Sequence, residues 1–283
     1  MKILIAGARG MLGQDLVKVL KDKNELILTG RDNLEITNYH QCNDVISYQK
    51  PDLVINAAAY TLVDKCEEDI ELAYKVNAFG PRNLAIVCNE HNISLLHIST
   101  DYVFDGKKDT SYLEDDIKNP LGVYGKSKSL AEEYITTLTN KYYIVRTSWL
   151  FGEHGNNFIK TMLQLGKNKA SINIVNDQFG SPTYTRDLAQ SIATLIQEPR
   201  YGIYHITNSD YTNWYEYAKY IFKLANYKVN VQPISTEEFN RPAPRPKYSV
   251  LENRLWQLED LPLLRSYKEA VKEFVENYLR KEA

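Results

Sequence analysis

The sequence is short of cysteine, of basic excess and of long apolar runs, and each shortage removes a class of function. Its 283 residues hold three cysteines, Cys42, Cys66 and Cys88, with no Cys-x-x-Cys spacing. An odd, widely spaced set gives no disulfide framework, so free thiols and a cytoplasmic setting are expected. Lysine and arginine total 34 against 36 aspartate and glutamate, a formal net charge of −2. Without a basic field, no nucleic-acid or membrane-surface partner is expected, though a local anion pocket stays open. No apolar run approaches the roughly 20 residues that span a bilayer. The apolar stretch in MKILIAGARG is too short for a signal peptide and runs directly into a glycine turn. The five histidines show neither His-x-x-x-His nor His-Glu-x-x-His spacing, so no built-in metal site is expected.

What is present is alternation. Lys2–Ala6, Glu25–Thr29, Asp52–Ile55, Ser94–Ile98 and Tyr142–Arg146 read as short buried strands. Between them Met11–Lys21, Tyr39–Gln49, Ala73–Asn89 and Gly122–Leu138 read as helices. Strand–helix alternation at this spacing predicts an α/β fold, a Rossmann-type doubly wound parallel sheet. The pattern weakens after Phe151. Helices are expected at 156–165, 186–197, 214–224 and 267–279, with strands at 172–175 and 202–206. Arg241–Pro246 carries three prolines in six residues and is expected to be loop. The division this suggests is a dinucleotide-binding domain over 1–150 and a smaller C-terminal α/β substrate lobe over 151–283, with interleaving of the two allowed. The lobe would cover the carboxyl ends of the strands, where open α/β sheets bind ligands.

Gly7, Gly10 and Gly13 punctuate GARGMLG immediately after the first strand. The spacing is Gly-x-x-Gly-x-x-Gly rather than the commoner Gly-x-Gly-x-x-Gly, but the physics is shared. Glycine permits the tight turn and lets backbone N–H groups meet a pyrophosphate at a helix N-terminus. An NAD-specific site usually ends its second strand with an acidic residue for the ribose 2′-hydroxyl. Here the strand runs into Gly30-Arg31. Arg31, with Arg9, offers a planar fork of donors for a 2′-phosphate, which favours NADPH and leaves NADH open.

Tyr124 and Lys128 stand four residues apart in a predicted helix, hence on one face. A phenol with a reference pKa near ~10 is a poor proton donor at neutral pH, and a nearby ammonium is expected to lower it. Thr100, at the end of a predicted strand, can hold a substrate oxygen beside that phenol. The same Tyr-x-x-x-Lys spacing recurs at Tyr215 and Lys219 and reads as a surface pair, because only the first copy follows a strand end.

Four segments then become familiar: Ser99–Gly106 (STDYVFDG), the Tyr124/Lys128 pair, Arg146–Gly152 (RTSWLFG) and Asp177–Thr183 (DQFGSPT). With Asn56–Thr61 (NAAAYT) they make the chain resemble the dTDP-4-dehydrorhamnose reductases of the extended short-chain dehydrogenase/reductase superfamily. The likeness runs from Met1 to about Leu279. It implies NADPH-dependent reduction of the C4 keto group of dTDP-4-dehydro-6-deoxy-L-mannose to dTDP-L-rhamnose. It further implies Thr100, Tyr124 and Lys128 as the catalytic set. Gly10, Met11 and Leu12 would cover the pyrophosphate, and Ala57, Ala58 and Tyr60 would lie along the cofactor. Asp101, Tyr102 and Trp149 would surround the sugar, Arg245 would meet the diphosphate, and Asn77 would support the site.

Two other readings stay open here. One is an epimerase or dehydratase of the same superfamily, which also uses Tyr and Lys and which Thr100-Asp101 alone does not exclude. The other is a non-catalytic NADP-binding subunit similar to the regulatory subunit of methionine adenosyltransferase. There is also a departure. Some members of the family form a magnesium-bridged dimer through acidic side chains. Here the first helix offers Asp15, but the second segment reads Thr185-Arg186-Asp187 and puts a cation where oxygen ligands would cluster. A monomer, or a dimer through another surface, is expected, and a magnesium requirement is left open.

Overall fold

Residues 1–282 are described by the structure, a computed structural model. Five strands come from the first half: β1 (Lys2–Ala6), β2 (Glu25–Thr29), β3 (Leu53–Asn56), β4 (Ser94–Thr100) and β5 (Tyr142–Thr147). A sixth, Gly202–His205, adds to the far edge, giving the order 202–205, β5, β4, β3, β1, β2 with every pair parallel. The middle strands are buried on both faces, as their unbroken apolar runs require. Ile5 sits between Leu28 of β2 and Ile55 of β3.

The helices are α1 (Met11–Leu20), α2 (Tyr39–Gln49), α3 (Val63–Glu68), α4 (Ile70–Tyr74), α5 (Gly80–Glu90), α6 (Val123–Leu138), α7 (Phe158–Asn168), α8 (Thr185–Leu195) and α9 (Trp214–Ala225), with shorter ones and Tyr267–Glu282 following. α1 and α8 cover one face of the sheet through Leu12, Leu16, Leu188 and Ile192. α2, α5 and α6 cover the other through Ile46, Leu84, Val87 and Ile135. A third core joins Phe151, Leu163, Tyr184, Ile221 and Phe274, and two parallel strands, Ser171–Val175 and Asn230–Ile234, edge it. The chain thus returns to the main sheet after residue 151, through α8 and Gly202–His205.

One predicted helix is divided. The stretch expected as 73–89 is α4, a π turn over Lys75–Phe79, and α5. Pro81 explains the break: it has no N–H to donate and cannot continue the preceding register. The wide turn buries Asn77, whose side chain accepts from Tyr60 N at 2.7 Å and donates to Tyr60 O at 3.0 Å. The three cysteines are free and buried, and burial pushes the Cys42 thiol up to about 12 and Cys66 to about 11. No helix among the described residues is long and apolar enough to cross a membrane.

Candidate active site

The strand order reverses between β1 and β3, and the crevice at that switch point is where the glycine turn lies. Gly7 adopts φ +81°. A Cβ there would meet Ala58 N at 2.8 Å, so the turn and the loop after β3 touch backbone to backbone. At Gly13 a Cβ would lie 2.2 Å from Gly7 O, so α1 can leave the turn at this angle only with glycine. Gly10 is the N-cap of α1 in extended conformation, no side chain caps the helix, and its first turn carries no acid. The end of α1 is therefore shaped and charged for a pyrophosphate. Gly13→Ala is expected to cost about 2 kcal/mol by forcing backbone apart. A thermal melt that matched the unsubstituted protein would refute this close approach.

Beyond the turn lies a cavity of about 550 Å³, whose wall includes Gly10–Leu12, Ala57, Ala58, Thr100, Tyr124 and Lys128. Thr100 closes β4 and donates to Asp101 Oδ1 at 3.0 Å. Its oxygen takes a bond from Tyr102 N at 3.3 Å, and Tyr124 is hydrogen-bonded to the same threonine. The other Asp101 oxygen accepts from Ser249 Oγ at 2.6 Å. Burial pushes the Asp101 carboxyl up to about 6, against the pull of these two hydroxyls. Tyr124, Thr100, Asp101 and Ser249 therefore form one hydrogen-bonded row that runs from the cavity wall to the buried Ser249.

The tyrosine and lysine differ from expectation in one respect. Burial raises Tyr124 above the ordinary phenol value; the ammonium of Lys128 does not lower it. The reason is geometric. Lys128 Nζ turns back toward the sheet, 2.9 Å from His97 Nε2 and 2.5 Å from Ile98 O. Burial depresses Lys128 to about 7. The phenol stays protonated, which is the form that can give a proton away.

The other expected residues divide by position. Asp101, Tyr102 and Trp149 reach the cavity wall. Tyr102 packs edge-on against Tyr124 with ring centroids 5.7 Å apart. Trp149 holds φ +48°, unusual for a large side chain, and stacks on Trp214 at 3.5 Å. Its indole presses on Gly180 of DQFGSPT, where a Cβ would lie 2.5 Å away. Arg9 and Arg31 are exposed and paired, with Asp32 at 2.8 Å and Glu35 at 3.5 Å. The Tyr60 side chain bonds Asp69 at 3.2 Å, away from the cavity wall. Arg245 is likewise not brought to the wall: it pairs with Asp64 at 3.0 Å and hydrogen-bonds Tyr102 from behind.

Several residues in and beneath the site carry no short-range sequence signal. Trp214, at the start of α9, and Asn156, just before α7, line the cavity from the second half of the chain. Asn56 and His97 lie under Lys128, fully buried. Glu132 and Arg146 form a buried pair at 2.8 Å that ties α6 to β5, and Ser99 of β4 joins them. Asp15 bonds Thr185 at 2.5 Å, and Asp187 bonds Arg265 at 2.8 Å. Among the described residues no group of three or more His, Cys, Asp or Glu is placed to hold a metal ion.

Comparison with known proteins gives this geometry a family. The family model described as the RmlD substrate binding domain matches residues 1–280. A dTDP-4-dehydrorhamnose reductase of Aggregatibacter actinomycetemcomitans is 43% identical over 265 residues, covering 89% of this chain and 90% of its own. The chain belongs to the dTDP-4-dehydrorhamnose reductase family. Solved members superpose closely on it. A reductase from Clostridium acetobutylicum aligns with TM-score 0.96 and 47% identity, over 99% of this chain and 100% of that one. A reductase from Bacillus anthracis, solved in complex with NADP, aligns with TM-score 0.95 and 43% identity, over 97% and 99%.

Proposed function

We propose that the chain is an NADPH-dependent dTDP-4-dehydrorhamnose reductase, converting the C4 ketone of dTDP-4-dehydro-6-deoxy-L-mannose to the alcohol of dTDP-L-rhamnose. The observation that carries this is the convergence of Thr100, Tyr124 and Lys128 on the cavity that also exposes the glycine turn and the Ala57–Ala58 loop.

The cradle fits NADPH: Gly7 and Gly13 stand where any side chain would collide with backbone, at an uncapped helix N-terminus. Gly10, Met11 and Leu12 would hold the pyrophosphate, and Ala57 and Ala58, on the same cavity wall, would lie along the rest of the cofactor. NADPH supplies the hydride for the carbonyl carbon. Arg31 and Arg9 are free to trade their exposed carboxylate partners for a 2′-phosphate, since such surface pairs are worth ~1 kcal/mol or less. Arg31→Ala is expected to raise the Kd for NADPH about tenfold and to leave NADH nearly unchanged. Equal weakening of both in a fluorescence titration refutes that role.

Thr100 places the ketone oxygen beside the Tyr124 hydroxyl. Tyr124 gives that oxygen its proton as charge develops on it, and the protonated form of Lys128, one turn away on the same helix, offsets the negative charge left on the phenol. Asp101, accepting from Thr100, orients the threonine hydroxyl. Tyr102, Trp149 and Trp214 wall the sugar. Arg245 meets the wall only through Tyr102, so a contact to the diphosphate requires it to exchange Asp64 for the ligand. Asp15 and Asp187 are committed to internal partners, which supports a monomer, or a dimer without a magnesium bridge.

The test is direct. Purified protein with NADPH and the dTDP-linked 4-keto sugar consumes NADPH stoichiometrically, and dTDP alone competes. An epimerase, or a non-catalytic NADP-binding subunit, shows no net NADPH loss.

A further inference from the structure

Lys128 Nζ ends a buried row of hydrogen bonds whose direction can be worked out atom by atom. Ala58 N donates to Asn56 Oδ1 at 3.1 Å, because only the amide oxygen can accept it. Asn56 Nδ2 therefore faces His97 Nδ1, at 3.0 Å, and donates to it. Nδ1 is then bare. A neutral imidazole with a bare Nδ1 carries its proton on Nε2. That N–H points at Lys128 Nζ, 2.9 Å away, so Nζ accepts through a lone pair that an ammonium lacks. The free amine meets every condition, since it also donates to Ile98 O. If Lys128 gains a proton, Nε2 must accept, the ring proton must sit on Nδ1, and Asn56 must turn its oxygen to the ring. The Ala58 N–H then loses its acceptor.

We propose that His97 is a positioning residue for Lys128: anchored through Asn56 to the Ala58 amide, its ring tautomer follows the protonation state of the lysine amine and ties that state to the loop lining the cofactor side of the cavity. Asn56 and His97 lie opposite one another on β3 and β4, both fully buried, and neither touches the cavity wall. The proposal rests on the reading of Lys128 as part of the catalytic set. Besides His97, the charged group that acts on Lys128 is Glu132, on the same helix; Asp101 and Tyr102 after β4 and Cys66 on α3 act on Tyr124, one turn before it. Glu132 is already matched by Arg146 and Lys118. Burial holds His97 far below the ordinary imidazole range, so the ring changes tautomer and not charge.

The decisive measurement is nitrogen NMR of histidine-labelled, cofactor-free protein titrated from about pH 5.5 to 9, spanning the ordinary histidine range and the depressed lysine. The His97 signals are assigned by their loss in His97→Gln. We expect Nε2–H at the alkaline end, Nδ1–H at the acid end, and no imidazolium between. One tautomer throughout, or a doubly protonated ring, overturns the proposal. Kinetics supply the second arm. His97→Leu should lower kcat about 10- to 100-fold, as when the partner orienting a functional side chain is removed. His97→Gln, whose amide can present either a donor or an acceptor, should recover most of that loss. It should also move the alkaline limb of kcat to higher pH by about one unit, because the ammonium no longer needs Asn56 to turn. A His97→Gln profile that coincides with wild type counts against the inference. Lys128→Met separates the two failures: near-normal turnover there removes the catalytic reading, while the tautomer titration still judges the row itself.

Discussion

Tyr124→Phe is expected to reduce turnover by at least about 10²-fold while leaving the fold and the affinity for NADPH unchanged. The half-buried ring of Tyr124 packs edge-on against Tyr102, and phenylalanine fills the same space. The glycine turn, Ala57 and Ala58 do not depend on its hydroxyl, so NADPH binding should stay within about twofold by titration, well under one kcal/mol. What disappears is the O–H bonded to Thr100, the proton source proposed for the ketone oxygen. The loss should therefore fall on kcat rather than on KM, since an interaction needed only as charge develops contributes little to ground-state binding. Steady-state kinetics beside a thermal melt decide the matter. Turnover within about threefold of wild type, with the fold intact, would mean that another group protonates the product. Asp101, which burial raises to about 6, would be the next to test.

Much of this architecture can be read from the sequence, and the parts that cannot share a physical cause. Lys2–Ala6 and Leu53–Asn56 announce themselves because a strand buried on both faces must be apolar throughout. GARGMLG announces itself because backbone approach excludes every side chain at Gly7 and Gly13. Tyr124 and Lys128 share a helix face by spacing alone. Nothing local in Gly202–His205 says that it pairs with β5 rather than with a strand of the lobe; that follows from α8 packing on α1 and carrying the chain back. Nor does Arg245 reveal that Asp64, distant in sequence, will take its guanidinium. The direction of Lys128 is the clearest case. The lysine is legible, but its partner His97 lies on another element inside a strand that reads as ordinary core, so the nitrogen expected beside the Tyr124 hydroxyl is turned instead toward an imidazole. Gly180 was visible as part of DQFGSPT, yet its reason, the Trp149 indole lying where a Cβ would stand, needs the third dimension.

The largest effect on stability should come from Glu132. Its carboxylate is 1% exposed and the Arg146 guanidinium 2%, with Nη2 to Oε2 at 2.8 Å and Nε to Oε1 at 3.0 Å. Arg146 also donates to Glu114 O and packs over the Phe104 ring, while Ser99 and Lys118 reach Glu132 from either side. This two-toothed bond joins the helix bearing Tyr124 and Lys128 to the strand beside Thr100, so it holds the site as well as the sheet. Glu132→Leu would strand a guanidinium that cannot lose its charge inside the core. The expected cost is about 3–5 kcal/mol, or a fall in Tm on the order of 10 °C for a chain of this size. Replacing both partners, Glu132→Leu with Arg146→Met, should recover most of it, because two apolar side chains ask for no partner. Burial by itself would raise the Glu132 carboxyl, but Arg146, Lys118 and Ser99 together hold it below the ordinary carboxylate range. The pair's contribution is thus complete above the unfolded value near ~4.3 and fades only as pH falls through the lower native one. The gap between wild type and Glu132→Leu should accordingly be flat from about pH 6 to 8 and narrow only in acid. A double variant no more stable than the single one would show that Arg146 is held by Glu114, His205 and Phe104 rather than by Glu132.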